Sequence, residues 1–506
     1  MKTTNIHTIA LVLSISILTG SCSKDLLDVD PEGTQVETNY YKNPQEAFNG
    51  LVAAYDPIGW ESDAGSSYAN FPTLVAASDE CYGGGGSASD VPFLNTMDSY
   101  SIDAANGPQL GFWDKNFTGI SRVNTIISKL EAGVPGLSDE LKNRYIAESR
   151  FLRAHYYFDL ARLFKNVPLF TEPLAADEIY NVTQASVEDV YAQIEQDLKD
   201  AIAAAELPDI VDRITEGGRA TKGAAHALLG KVYLYEKKWP EAASELAIVN
   251  GTPGQANAAY GYQLLSNYAD IFKVNNKFSS EAVFEISHTT LGGTTWGDVS
   301  IAEGMIACQM VGPRSYNGPT YYSGWGGCPI SDKLFNDMHG DPRYSTTISD
   351  IDSLVQLGEA TYVPGYQNTG HFVKKFAPLI EFKSTGAGAA PLNYPQNYIE
   401  IRLADTYLME AEALVNAGGD LTRAAALLNA VRARVGLEPV AATMENIYNE
   451  RYLELATEGH RWYDLIRTGK AEAVLRPLGF KTGKNELLPI PLPELNNTKL
   501  VQNPGY

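Results

Sequence analysis

Residues 450–470 set charged and aromatic side chains next to one another along what reads as two short helices meeting at Gly459. Glu450, Arg451, Glu454, Glu458, Arg461, Asp464 and Arg467 are interleaved with Tyr452, Leu453, Leu455, Trp462, Tyr463, Leu465 and Ile466. The apolar residues keep helical spacing, so one face must be buried, and neighbouring charges are carried inward with it. A buried charge is costly unless an opposite charge meets it. Other segments must therefore bring partners to this corner. No nucleophile or cofactor motif accompanies the charges, so the corner reads as a salt-bridged structural clasp rather than a catalytic site.

Helical signals dominate elsewhere. Asn43-Pro44 supplies a cap and a first-turn proline, predicting a helix to about Tyr55. Trp113, Phe117, Ile120, Val123 and Ile127 share one face of a helix over residues 112–131. Ser138 can cap the next helix, which carries Tyr145, Phe151, Leu152, Tyr156 and Leu160 up to Phe164. Residues 186–189, Ser-Val-Glu-Asp, form a capping box opening a helix over 187–205. Over residues 221–249, Leu229, Gly230, Tyr233, Ala242 and Leu246 sit at tetratricopeptide offsets, and 237–240 read as the turn between two helices. A weaker copy runs over residues 398–435, with a stripe from Ala404 to Val415, a stop at Gly418-Gly419 and a return face at Ala424, Leu428 and Val431. About four helix pairs are expected, packed as a bundle or short solenoid. Trp113, Trp239 and Trp462 belong to helix faces or turns and are expected in the core.

Two stretches break this pattern. Residues 56–110 are rich in loops and carry four consecutive glycines at 83–86. Residues 251–395 are dominated by glycine, proline, serine, asparagine and tyrosine, with only short strands expected, such as 282–287. A loop region this long inside a folded protein is usually functional or disordered, and its aromatic content argues against disorder. The binding surface is expected here.

The N-terminus reads as a secretory leader. Lys2 supplies a positive start, residues 9–18 are apolar or small, and Thr19, Gly20 and Ser21 lead into Cys22. The apolar run is too short to span a bilayer. Cys22 looks like a lipoprotein acceptor, with a leader at 1–21 removed before it. Thr19 occupies the place where a leucine is usual, and Leu18 precedes it. Cleavage to a soluble periplasmic protein is the alternative. One lipid anchor holds a protein only moderately, so contact with a membrane partner is expected.

The formal net charge of -22 argues against nucleic acid and against an anionic membrane surface. Cys81, Cys308 and Cys328 follow Cys22 without metal-like spacing, and Cys308 with Cys328 could pair in an oxidising compartment. The seven histidines form no paired-ligand motif, and no cofactor or metal is expected. Residues 83–86 lack the Lys-Ser/Thr of a phosphate loop, and Lys481-Thr-Gly483 resembles a β-lactamase box, but the only S-x-x-K is Ser21–Lys24, at the leader's cleavage site. Two hydrolytic carboxylates could still hide among the sixty-one acidic residues. A glycoside hydrolase and a peptide-binding helical scaffold therefore stand as alternatives.

Several segments, taken in order, resemble the SusD/RagB family. They include 26–31, Ser78-Asp79-Glu80, 113–124, Glu148-Ser-Arg-Phe-Leu-Arg and on to 158, Asn166-Val-Pro-Leu, 267–272, and Glu281-Ala-Val-Phe-Glu-Ile. They continue through Asp341-Pro-Arg343, Arg402 to Leu414, the 450–470 corner, Leu488-Pro-Ile-Pro and Asn503-Pro-Gly-Tyr506. The resemblance covers most of the chain after Cys22. It implies a mostly α-helical, non-catalytic lipoprotein of the outer membrane with four tetratricopeptide-type units. Such a protein would sit over a SusC-like, TonB-dependent transporter and hand it oligosaccharides. The acidic residues after Cys22 resemble the surface-export signal of Bacteroidetes lipoproteins.

The implied organisation is one SusD-like domain over 22–506. Its helical scaffold would lie mainly at 36–250 and 398–480, and its partly β, loop-rich binding region at 251–395 with loops 56–110. Sugars present flat C–H faces with polar rims, so aromatic rings with Asn, Asp and Arg are the expected lining. The candidates are Trp296, Arg314, Tyr316, Asn317, Tyr321, Tyr322 and Trp325, with Trp60, Tyr68 and Tyr82 from the earlier loops and Asp79 and Asn95 as polar partners. The glycan itself is not specified by these residues.

Overall fold

The computed structural model describes residues 40–61, 71–175, 177–297 and 302–506, and the statements below concern those residues. Cys22, the leader at 1–21 and Tyr68 lie outside them.

The fold is mostly helical. The first set comprises α1 (Pro44–Tyr55), α2 (Gln109–Ala132), α3 (Asp139–Phe164), α4 (Val187–Ala203), α5 (Lys222–Tyr235) and α6 (Trp239–Asn250). The second comprises α7 (Leu403–Ala417), α8 (Leu421–Arg434), α9 (Met444–Glu454) and α10 (Arg461–Arg467). Local chemistry sets the boundaries as expected. The Asn43, Ser138 and Ser186 side chains accept from the backbone N–H groups of Glu46, Leu141 and Asp189. Gly418 ends α7 in the left-handed conformation.

Consecutive helices pack on one another, α3 against α2 and α4, α5 against α6, and α7 against α8. The α5–α6 approach depends on Gly230, where an added Cβ would lie 2.6 Å from Leu246 Cγ. Helix α6 also packs on α7, which joins the two sets although the whole loop region separates them in sequence. One apolar core accordingly runs from Ala47 through Tyr156, Leu246 and Tyr407 to Trp462. Trp113 and Trp462 are buried in it, and Trp239 packs half-buried against it.

The segment 398–435 is not helical throughout. Its first five residues form β4 (Tyr398–Arg402), which pairs antiparallel with β1 (Ala282–Ile286), Ala282 lying opposite Arg402. The alternation of Tyr398, Ile399, Glu400, Ile401 and Arg402 suits a strand with Ile399 and Ile401 on its buried face and Tyr398 and Glu400 half-buried on the other. Two shorter strands, β2 (Ile348–Asp350) and β3 (His371–Val373), also pair antiparallel.

The loop region has a core of its own. Phe71, Val75, Leu94, Met305, Ile306, Met310, Ile330 and Phe376 cluster there with Cys81, Cys308 and Cys328. All three cysteines are free thiols, so the pairing considered for Cys308 and Cys328 is not formed. Burial pushes each thiol's pKa up, which keeps it protonated and inert.

The charged corner joins the two cores. Arg402 is fully buried. It donates to Glu454 Oε1 at 2.6 Å, to Glu458 Oε2 at 2.7 Å and to the Glu454 carbonyl at 2.7 Å. Arg343 reaches Glu450 at 2.6 Å and Glu454 at 3.0 Å, and Arg434 reaches Glu281 at 2.7 Å and also Glu454. Lys375 donates to Glu458 at 2.7 Å. On the other side of the corner, Arg451 pairs with Asp405 at 2.7 Å and Asp464 at 2.9 Å, and Arg467 with Glu412 at 2.5 Å. The partners demanded by the corner's sequence come from β4, α7, α8, the 341–343 turn, Lys375 and Asp79.

Candidate functional site

The loop region turns one group of aromatic side chains outward. Trp296, in the loop after β1, is 55% exposed, and its ring centroid lies 6.1 Å from that of half-buried Trp325 with the planes 32° apart. The two indoles form a shallow tilted platform rather than a sealed pocket.

Trp325 is held by its backbone. Its N–H donates to the Gln309 carbonyl at 2.8 Å, and Gln309 Nε2 donates to the Ser323 carbonyl at 2.7 Å. Tight glycine packing fixes the same strip. Gly324 N–H donates to the Pro313 carbonyl at 2.9 Å, and a Cβ on Gly324 would lie 2.2 Å from the Gly312 carbonyl carbon. Only glycine allows that approach.

Polar groups edge the platform. Arg314 Nη1 donates to Asp90 Oδ2 at 2.9 Å and to the Trp325 carbonyl at 3.4 Å. Asp90 Oδ2 also accepts from Gly86 N–H at 2.6 Å, which ties the four-glycine run to the site. That run pairs with residues 326–328, Gly84 opposite Gly327. Tyr366 is 40% exposed and donates its N–H to the Gly85 carbonyl at 2.8 Å, so its backbone is tied to the glycine run. Tyr322 is half-buried with Lys383 Nζ 4.4 Å from its ring centroid.

The remaining expected residues fall in several places. Tyr82 is half-buried at the foot of the glycine run, where burial raises its phenol pKa. Asn95 supports that run from beneath, donating to the Gly84 carbonyl at 3.2 Å. Asn317 is exposed and its backbone pairs with Thr361. Five candidates differ from expectation or fall outside the described residues. Asp79 is buried, with both oxygens on Arg461 at 2.8 and 3.0 Å, and so belongs to the ionic corner. Tyr316 and Tyr321 pack edge to face at 5.4 Å in a small core of their own, and Tyr321 accepts from Ser349. They turn inward because the Asn317–Thr361 pairing folds their strip over Ile351 and Phe372. Trp60 lies under Arg122, at 5.1 Å, and lines a separate cleft beside α1 and β1. Tyr68 lies outside the described residues.

Sequence reasoning missed Asp90, Tyr366 and Lys383. Val363-Pro-Gly-Tyr366 carried the same turn-plus-aromatic signal as the chosen loops and could have been included. Asp90 and Lys383 had no local signal, since their roles come from partners far along the chain.

A sequence model of the SusD family matches residues 343–506, and one described as starch-binding associating with outer membrane matches residues 73–234. A solved laminarin-binding SusD-like protein is 47% identical, with TM-score 0.87, over 92% of this chain and 100% of that one. Surface glycan-binding protein A from Bacteroides thetaiotaomicron, solved with laminarihexaose, is 27% identical with TM-score 0.83, over 91% of this chain and 99% of that one. A SusD-like protein from Bacteroides ovatus is 25% identical over 90% of this chain and 81% of its own length.

Proposed function

The chain belongs to the SusD family, and on that footing we propose that it captures a glycan at the cell surface and delivers it to a SusC-like, TonB-dependent transporter. The Trp296–Trp325 platform carries this reading, because two tilted indoles with a polar edge suit the C–H face and hydroxyl rim of successive sugar units. Laminarin is the first ligand to try, since two similar solved proteins carry laminarin or laminarihexaose in their descriptions. Anchoring is through lipid on Cys22. No helix among the described residues is long and apolar enough to cross a membrane.

Binding without turnover fits the site better than hydrolysis. A glycosidase needs two opposed carboxylates free to exchange protons. Here Asp90 is committed to Arg314 and to the Gly86 N–H.

Calorimetry against purified polysaccharides, laminarin first, tests the reading. Affinity in the millimolar-to-micromolar range for one glycan class is expected, with reducing-sugar release at background. Trp296→Ala or Trp325→Ala should weaken it by about tenfold or more, as loss of a stacking aromatic does. Unchanged binding in both variants would remove the platform from the site. Cys22→Ala should shift the protein from the membrane to the soluble fraction.

A further inference from the structure

A partly open chamber of about 70 Å³, ringed by charged side chains, lies among α2, α3, α5, β4 and the start of α10, lined on one side by Trp60 and Glu61. Neither Trp296 nor Trp325 borders it, and the saccharide reading makes no use of it. His155 and Asp159 reach it from one face of α3, four residues apart, and Glu400 reaches it from β4.

We propose that His155, Asp159 and Glu400 bind one divalent transition-metal ion of the zinc type, pinning α3 to β4. One donor atom from each residue lies within 4.8 Å of the other two. Ligand atoms about 2.0–2.2 Å from a zinc ion stand roughly 3–3.5 Å apart, so small side-chain rotations close the set.

His155 supplies the independent indication. It is 3% exposed, and neither ring nitrogen has a hydrogen-bond partner. Its Nε2 stands 3.8 Å from Glu400 Oε1, beyond hydrogen-bond range. A buried imidazole with both nitrogens unsatisfied is costly, and a metal ion in the adjoining space would satisfy one of them. The chamber has room for an ion and a completing water. His288 and His460 also border the chamber, outside the three-residue donor cluster.

The surrounding charges set the expected strength and selectivity. Lys115, Arg162 and Lys231 line the same chamber as Glu61, Asp159 and Glu400. Arg162 holds Asp159, and Lys231 stands 3.7 Å from Asp405. These cations compete with a metal ion, so moderate affinity is expected. One imidazole with two carboxylates favours zinc over calcium, which takes six to eight oxygens.

The test strips the purified protein with a chelator, reloads it with zinc chloride and measures bound metal by mass spectrometry after gel filtration. One zinc per chain and a raised Tm are expected. Glu400→Gln and His155→Ala should each weaken zinc binding by about tenfold or more in calorimetry. Zinc absent from folded wild-type protein, or bound equally by the folded variants, overturns the proposal. Should a variant fail to fold, anomalous diffraction at the zinc edge on wild-type crystals decides. A peak among the three side chains supports the site, and a peak elsewhere or none refutes it.

Discussion

Glu454 sits among the guanidinium groups of Arg343, Arg402 and Arg434. Burial alone would raise its pKa, but the three arginines override that and hold the carboxyl well below the usual range. Removing the charge leaves three buried guanidinium groups to share one carboxylate fewer, among Glu281, Glu450 and Glu458, and that imbalance in a dry setting is costly. Glu454→Gln should therefore destabilise the fold by about 3–5 kcal/mol in urea titration. A loss below about 1 kcal/mol would mean the corner is wetter than its geometry indicates.

Glu80 shows the opposite shift. Burial first, and then the charge of Asp79, raise its pKa to about 8. A carboxyl raised above its unfolded value contributes stability fully below the unfolded pKa and loses it as pH rises through the folded one. Wild-type protein should thus lose stability from this group between about pH 4.5 and pH 8, whereas Glu80→Gln should not. The variant's gain should reach about 2–4 kcal/mol at about pH 9 and vanish near pH 4. Thermal melts across that range decide it, and a flat difference would show that Glu80 ionises normally.

At the scale of elements, helices and loops divide the work. Caps and spacing placed α1 to α6 in the sequence because helix formation is governed by nearby residues. The start of the 398–435 segment went the other way, since pairing with β1 overrides a helical reading of five residues. The loop strips around Trp325 depend on contacts between distant segments. At Gly324 the backbones meet so closely that Gly324→Ala must push the Gly312 segment away. Weaker glycan binding is expected, together with a loss of about 1–3 kcal/mol in stability. A variant that melts earlier yet binds normally would separate the strip from the Trp325 platform.

For the molecule as a whole, the α6–α7 contact and the ionic corner connect regions far apart in sequence. The apolar core draws on both helical sets, so neither set keeps its burial without the other. A single cooperative unfolding transition is expected, with near- and far-ultraviolet circular dichroism coinciding. Two separated transitions would show that the loop region, with its own core, melts independently.

The segments that carried the family resemblance are largely the ones that meet in these joints. Glu281, Arg343, Arg402 and Glu454 converge on one ion cluster, and Asp79 meets Arg461 beside it. Glu148 likewise accepts from Arg219 and from the Tyr55 hydroxyl, and Arg153 from the same motif holds Asp197. Their motif character was legible because buried charges must sit in fixed local settings. Their partners were not, because a charge carries no record of which distant segment neutralises it.

The same limit governed the site. Turn residues with aromatics marked Trp296 and Trp325 correctly as loop residues, and the exposure of Trp296 agrees with that reading. Tyr316 and Tyr321 bore the same signal and turned inward, because burial depends on what folds over a loop. Asp79 was drawn away by Arg461, which lies near the other end of the chain. The sequence alone thus determined the helical class, the helix boundaries and the need for a charged clasp, all products of short-range spacing and of the cost of burying charge. Tertiary structure alone decided which arginine meets which glutamate, which aromatics face water, and that His155, Asp159 and Glu400 share one chamber, because those outcomes rest on contacts between residues the chain keeps far apart.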